Sequence, residues 1–113
     1  MREDLEIAKR ILKNESISLV IVKESKILYK SSASGIRGLI EAIEDLKDDM
    51  HDSSVADKVV GRAAALLLAY SRVGGVYAEI LSEEGMKALK ENNIAFEFER
   101  TVPIIFDKSR REI

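Results

Sequence analysis

Six polar residues in this chain could do chemistry together: Ser54, Asp57, Lys58, Arg62, Ser82 and Glu83. Their meaning depends on the run from Ser54 to Tyr70, which reads as one helix, polar in its first turns and apolar on every side afterwards. Ser54 would cap that helix and Asp57, at its third position, would complete a capping box in its Asp variant. Asp57 would also complement the positive end of the helix dipole. Lys58 and Arg62, four apart, would share a face, where like charges repel by roughly 0.2–0.5 kcal/mol. Both cations would also sit on the unfavourable end of the dipole. Residues that break local rules on a consistent element are where function is to be looked for. Free backbone N–H groups beside two cations would hold a phosphate or carboxylate. The competing reading is plain pairing of Lys58 and Arg62 with some of the 20 acidic residues of the chain. Ser82 would cap a second, shorter helix, with Glu83 and Glu84 favouring its first turn.

The elements that must position these residues follow from hydrophobic periodicity. Glu3 to Lys13 is an amphipathic helix with Leu5, Ala8, Ile11 and Leu12 in its stripe. Ile17 to Val22 and Ile27 to Tyr29 are two strands joined by a polar turn, a hairpin. Ile36 to Leu46 is a second amphipathic helix. Residues 47–53 read as an exposed, mobile loop, with the single histidine, His51, solvated in it. After the long central helix, Gly74-Gly75 forces a turn, and Gly61 inside that helix implies close approach by a strand or ligand. Val76 to Leu81, Ile94 to Phe98 and Val102 to Phe106 are the remaining strands, with Pro103 placing the last at an edge or at its own start. Residues 107–113 read as a frayed, charged tail. The expected order is α-β-β-α-α-β-α-β-β in one domain spanning residues 1–113. The expected fold class is α/β, a three-layer α/β/α sandwich on a mixed five-stranded sheet.

Composition narrows the chemistry. The 113 residues carry a formal net charge of −2, which does not suggest a nucleic-acid surface. The absence of cysteine removes disulfides, Cys nucleophiles and Cys–zinc sites, and one histidine cannot build a multi-histidine zinc site. No cofactor is expected. No apolar run reaches the ~18 residues of a membrane span. The charged opening Met1-Arg2-Glu3-Asp4 lacks a signal-peptide pattern, so the expected location is cytoplasmic. Gln and Trp are absent while Lys, Glu and Arg abound, a thermophile-like balance.

The element order and the stretch Val55-Ala56-Asp57-Lys58-Val59-Val60-Gly61-Arg62-Ala63-Ala64-Ala65 resemble a small prokaryotic family of unknown function in the cytidine deaminase-like superfamily. Leu19 to Tyr29, Gly75 to Ser82 and Val102 to Ile105 share in the resemblance. Deaminases of that fold place a zinc-ligating His or Cys and a proton-shuttling Glu at one helix start and two Cys ligands at the next. By this resemblance the first position is Ala-Asp-Lys around Asp57 and the second is Ser82-Glu83-Glu84-Gly85. Neither has the ligands, so deaminase chemistry is not carried over. The resemblance implies that two helix starts, at Ser54–Lys58 and Ser82–Gly85, face one sheet edge. The cleft there would hold Asp57, Lys58, Arg62, Ser82 and Glu83, with Gly35 or Arg37 nearby.

Three functions follow as expectations. The first is a zinc-less domain binding a small anionic metabolite or nucleotide-like ligand at the start of the central helix. The second is a metal-independent enzyme using Asp57 and Lys58, although adjacent helical residues point about 100° apart and do not converge on one atom. The third is a homodimeric structural or interaction module associating through helical faces.

Overall fold

The computed structural model describes residues 2–106. Helix α1 (Arg2–Asn14) leads into a hairpin of β1 (Leu19–Lys23) and β2 (Lys26–Ser31). Helix α2 (Arg37–Leu46) runs into a 3-10 turn at Lys47–Met50, followed by β3 (Ser54–Val60) and α3 (Arg62–Tyr70). Strand β4 (Gly75–Ser82), α4 (Glu83–Glu91) and β5 (Ala95–Val102) complete the chain. The five strands form one sheet in the order β2-β1-β3-β4-β5. The β1 ladders are antiparallel and the β3–β4 and β4–β5 ladders parallel, so the sheet is mixed, as expected.

The largest correction concerns the presumed central helix. Residues 54–60 are a strand, the middle one of the sheet, and the helix begins only at Arg62. Val55, Val59 and Val60 are β-branched and suit a pleated surface. Val55 packs into the core on one face and Ala56 into that on the other, so the segment is apolar without a two-residue period. Such a run cannot be told from a buried helix by periodicity. Ser54 is therefore no helix cap and Asp57 no capping-box residue. Gly61 is the N-cap of α3 rather than an interior glycine. Nor is α3 buried all round: Ala64, Ala65 and Leu68 face the core, while Leu66 is 43% and Tyr70 81% exposed.

The layers form by division of the apolar side chains between two faces. Leu5, Ala8 and Leu12 of α1 cover Val20, Val22, Ala56 and Tyr77. On the other face, Leu39 and Ala42 of α2, Ala64, Ala65 and Leu68 of α3, and Leu89 of α4 pack with Leu19, Ile21, Val55 and Val76. The hairpin turn places Glu24 and Ser25 at φ 51° and 64°, the geometry that matches strand twist. The buried Asp4 carboxylate accepts both of their N–H groups at 2.9 Å, which ties α1 to the turn. Among the described residues no helix is long and apolar enough to cross a membrane.

Two further expectations change. The stretch 47–53 contains the 3-10 turn, with Met50 and Ser53 fully buried, because Met50 fills the core beneath α2. The last strand runs unbroken from Ala95 to Val102, with Pro103 just past its end, where its missing N–H costs no ladder bond. Residues 107–113, expected to form a frayed tail, lie outside the described residues.

Candidate functional site

Strands β3, β4 and β5 run the same way, so Val60, Ser82 and Val102 end at one edge of the sheet. Strand β2 is antiparallel to β1 and β1 to β3, so Ser31 ends there too, and the link to α2 follows it. Helices α2, α3 and α4 all start from this carboxyl edge, where ligands usually bind in α/β sheets. The starts of α3 and α4 touch: a Cβ at Gly85 would stand 3.0 Å from the Gly61 carbonyl oxygen. A side chain there would require the Gly61 backbone to shift by a few tenths of an ångström.

The six candidate residues divide between three places. Arg62 is the exposed first residue of α3 and makes no ion pair among the described residues. Among the described residues no side chain caps the α3 first turn. Ser82 caps α4, its Oγ accepting the Gly85 N–H at 2.8 Å, with exposed Glu83 beside it. These residues share the carboxyl edge. Ser54 does not: it is buried at the far end of β3, opposite Val22 and Gly75. Six residues of strand, about 20 Å, separate it from the α3 start.

Asp57 and Lys58 part company at an irregularity in β3. Val55 and Val60 both join the larger core although five positions apart, which strict alternation would forbid. The β3–β4 ladder pairs Asp57 with Ala78 and Val59 with Ile80, and the Lys58 N–H donates to the Ser18 carbonyl at 3.0 Å. The Asp57 Oδ1 accepts the Val59 N–H across this step at 3.4 Å, a local Asx-type contact. Asp57 is 8% exposed. Burial pushes its carboxyl up to about 7, against the opposing pull of the Val59 and Lys58 backbone N–H groups.

Lys58 is exposed and lines an open groove of about 420 Å³ with Val59, Glu79, Ile80, Glu99 and Arg100. This groove belongs to the α1 face. There Glu99 accepts from Lys13 of α1 at 2.6 Å and from the Tyr77 hydroxyl at 3.0 Å. The Lys13 hydrogen bond, then that of Tyr77, hold the Glu99 carboxyl below the usual carboxylate range. Burial, and then Glu99, push the Tyr77 phenol above its ordinary range. Lys9 and Lys13 stand over the Tyr77 ring, 5.2 and 5.7 Å from its centroid. So Lys58 and Arg62, expected on one helix face, are separated: Lys58 lines this groove and Arg62 starts α3 at the carboxyl edge. Sequence reasoning missed the Tyr77–Glu99–Lys13 network. Its signal was the alternation of Glu97 and Glu99 along β5, legible only once β5 is known to neighbour β4.

The residues present do not fit the zinc ion that the resemblance associates with this fold. Asp57 lies in a strand rather than at a helix start, and the Ser82 oxygen is committed to its cap. The chain has no cysteine. Among the described residues no three His, Cys, Asp or Glu side chains cluster as a metal site would need.

This architecture is shared with known structures. The chain superposes on Acinetobacter baumannii RibD with a TM-score of 0.62 at 18% identity, covering 87% of this chain and 33% of that one. Against the dCMP deaminase of cyanophage S-TIM5 the TM-score is 0.58 at 12% identity, covering 88% and 92%. The chain spans only about a third of RibD. The fold is therefore cytidine deaminase-like. A DUF1893 family protein from Thermotoga maritima superposes over the whole chain and 76% of its own length, with a TM-score of 0.87 at 24% identity. The family model described as a domain of unknown function, DUF1893, matches residues 7–113, and the chain belongs to that family. No curated protein matches it.

Proposed function

We propose that this chain is a zinc-less deaminase-like domain that binds a small anionic or nucleotide-like ligand at the carboxyl edge of its sheet. One observation carries the reading. Helix α3 starts from a glycine, without a side-chain cap, and its first residue is an exposed cation with no ion pair among the described residues. An anion there would meet free N–H groups, the positive end of the dipole and the Arg62 guanidinium at once. Ser82 and Glu83, at the adjoining start of α4, would border the ligand. The dCMP deaminase neighbour, solved in complex with dCMP and dUMP, makes a nucleotide the first class to try.

Thermal unfolding with inorganic phosphate, nucleoside monophosphates and nucleosides tests this. A ligand at 100 times its Kd stabilises by about 2.7 kcal/mol. In a domain of this size that raises Tm by roughly 10 °C. Arg62→Ala should abolish most of the rise. If no anion moves Tm, or Arg62→Ala responds as fully as the unsubstituted chain, the reading fails.

A second reading, proton transfer by Asp57 without a metal, draws on the carboxyl held at about 7, where it exchanges protons at neutral pH. Lys58 does not complete an acid–base pair with it, because Asp57 is buried while Lys58 is exposed and lines the α1-face groove.

A further inference from the structure

Helix α3 is unusual on the side it turns away from the core. Charged residues make up 34% of the chain, yet α3 carries none after Arg62. Ala64, Ala65 and Leu68 face inwards, so the outer line of the helix is Arg62, Leu66 and Tyr70, spaced i, i+4 and i+8 as one ridge. All three are exposed, Leu66 at 43% and Tyr70 at 81%. The solvent face of a helix is ordinarily polar, and a contiguous apolar one marks a surface that another molecule covers.

The neighbouring helix extends this patch. Helices α2 and α3 both leave the carboxyl edge and run the same way, and Ile43 and Tyr70 line one cavity near their far ends. About one turn back along each helix stand Ile40, 40% exposed, and Leu66. Ile40, Leu66 and Tyr70 therefore form a continuous apolar surface with Arg62 at its margin.

The ridge is complementary to itself. Against a second α3 running the opposite way about a twofold axis at Leu66, position 62 meets position 70 of the other copy, because both lie four residues from 66. Each guanidinium then lies over a tyrosine ring, twice per dimer, while Leu66 packs on its counterpart at the axis. Ridges of this spacing from two helices interdigitate when the axes cross at about 50°. Both members of the pair are uncommitted: among the described residues Arg62 makes no ion pair and Tyr70 no ring or cation contact. A net charge of −2 leaves two copies little mutual repulsion. An unrelated partner would have to supply a matching pattern, whereas a second copy brings both halves of it.

We propose that the outer face of α3, extended by Ile40, is the interface of a twofold-symmetric homodimer, with Leu66 at the axis and Arg62 stacked on Tyr70 of the partner subunit. A guanidinium lying on a ring keeps its in-plane N–H donors, so Arg62 can still meet an anion, and the proposal does not depend on that reading.

Sedimentation equilibrium of the full chain, from low to high micromolar concentration, tests the proposal. The mass should approach twice that of the monomer. Leu66→Glu should stay monomeric, with its fold intact by circular dichroism because position 66 is half exposed. Arg62→Ala should weaken the dimer about tenfold and add little in a Tyr70→Ala background, the mark of a direct pair. The chain has no cysteine, so Leu66→Cys reports on the axis: mild oxidation should link it into dimers. Phe98→Cys, on the outer strand β5 at a matched exposure of 41%, should not cross-link. A monomer at every concentration, a dimer that survives Leu66→Glu, additive effects of the Arg62 and Tyr70 variants, or equal cross-linking from position 98 would overturn the proposal.

Discussion

Asp57→Asn isolates the energetic effect of one buried carboxyl. In the folded chain that carboxyl titrates at about 7, against an ordinary value of 3.8, chiefly because burial disfavours its charge. The folded state therefore binds more protons than the unfolded state between these two values. Stability must fall as pH rises through that window, the reverse of a salt-bridged carboxylate. The gap from 3.8 to about 7, at about 1.4 kcal/mol per tenfold, corresponds to about 4 kcal/mol lost between pH 4 and pH 7 or above. Asparagine is nearly isosteric, keeps an oxygen for the Val59 N–H and does not titrate. Urea denaturation from pH 4 to pH 8 should show the two proteins within about 1 kcal/mol at pH 4. The variant should then pull ahead by several kcal/mol at pH 8. Because both share every other titrating group, the difference curve belongs to position 57. Parallel pH profiles would refute the argument and show that water or a conformational adjustment solvates the charge.

The other predictions are more local. Ser82→Ala removes the 2.8 Å cap on the Gly85 N–H and should cost about 1 kcal/mol in denaturant titrations. Gly85→Ala would gain helix propensity, yet its Cβ would meet the Gly61 carbonyl oxygen at 3.0 Å and carbon at 3.1 Å. It should therefore destabilise by about 1–3 kcal/mol, measurable as a lowered Tm. Glu99→Gln removes a carboxylate held below its usual range by Lys13 and Tyr77. The stability advantage of the unsubstituted chain should be present at neutral pH and vanish as pH falls through that depressed value, seen as converging melting curves in acid.

The fold class was legible because it rests on short-range signals. The α1 stripe, the hairpin turn, the Gly74-Gly75 break and the Ser82 cap are each set by residues within a few positions of one another. The candidate site was legible only in pieces. Ser82, Glu83 and Arg62 do gather at one edge, although Arg62 arrives there as the start of a helix rather than its second turn. Ser54 and Asp57 were assigned by a capping pattern that the folded chain does not use. A strand between two strands gains ladder bonds and burial on both faces, and those long-range terms outweigh a cap worth about 1 kcal/mol. His51, read as solvated, borders a cavity because Met50 beside it is drawn into the core.

By itself the amino-acid order determined which segments are apolar, where the chain must turn, and that cysteine chemistry and a multi-histidine metal site are out of reach. Only the tertiary structure decided that residues 54–60 are the middle strand, that Lys58 lines a groove while Arg62 starts a helix at the carboxyl edge, and that Tyr77, Glu99 and Lys13 meet. Local patterns report on neighbours a few residues away, whereas the facing of a strand residue, and the charge its carboxyl can hold, depend on which distant strands and helices enclose it.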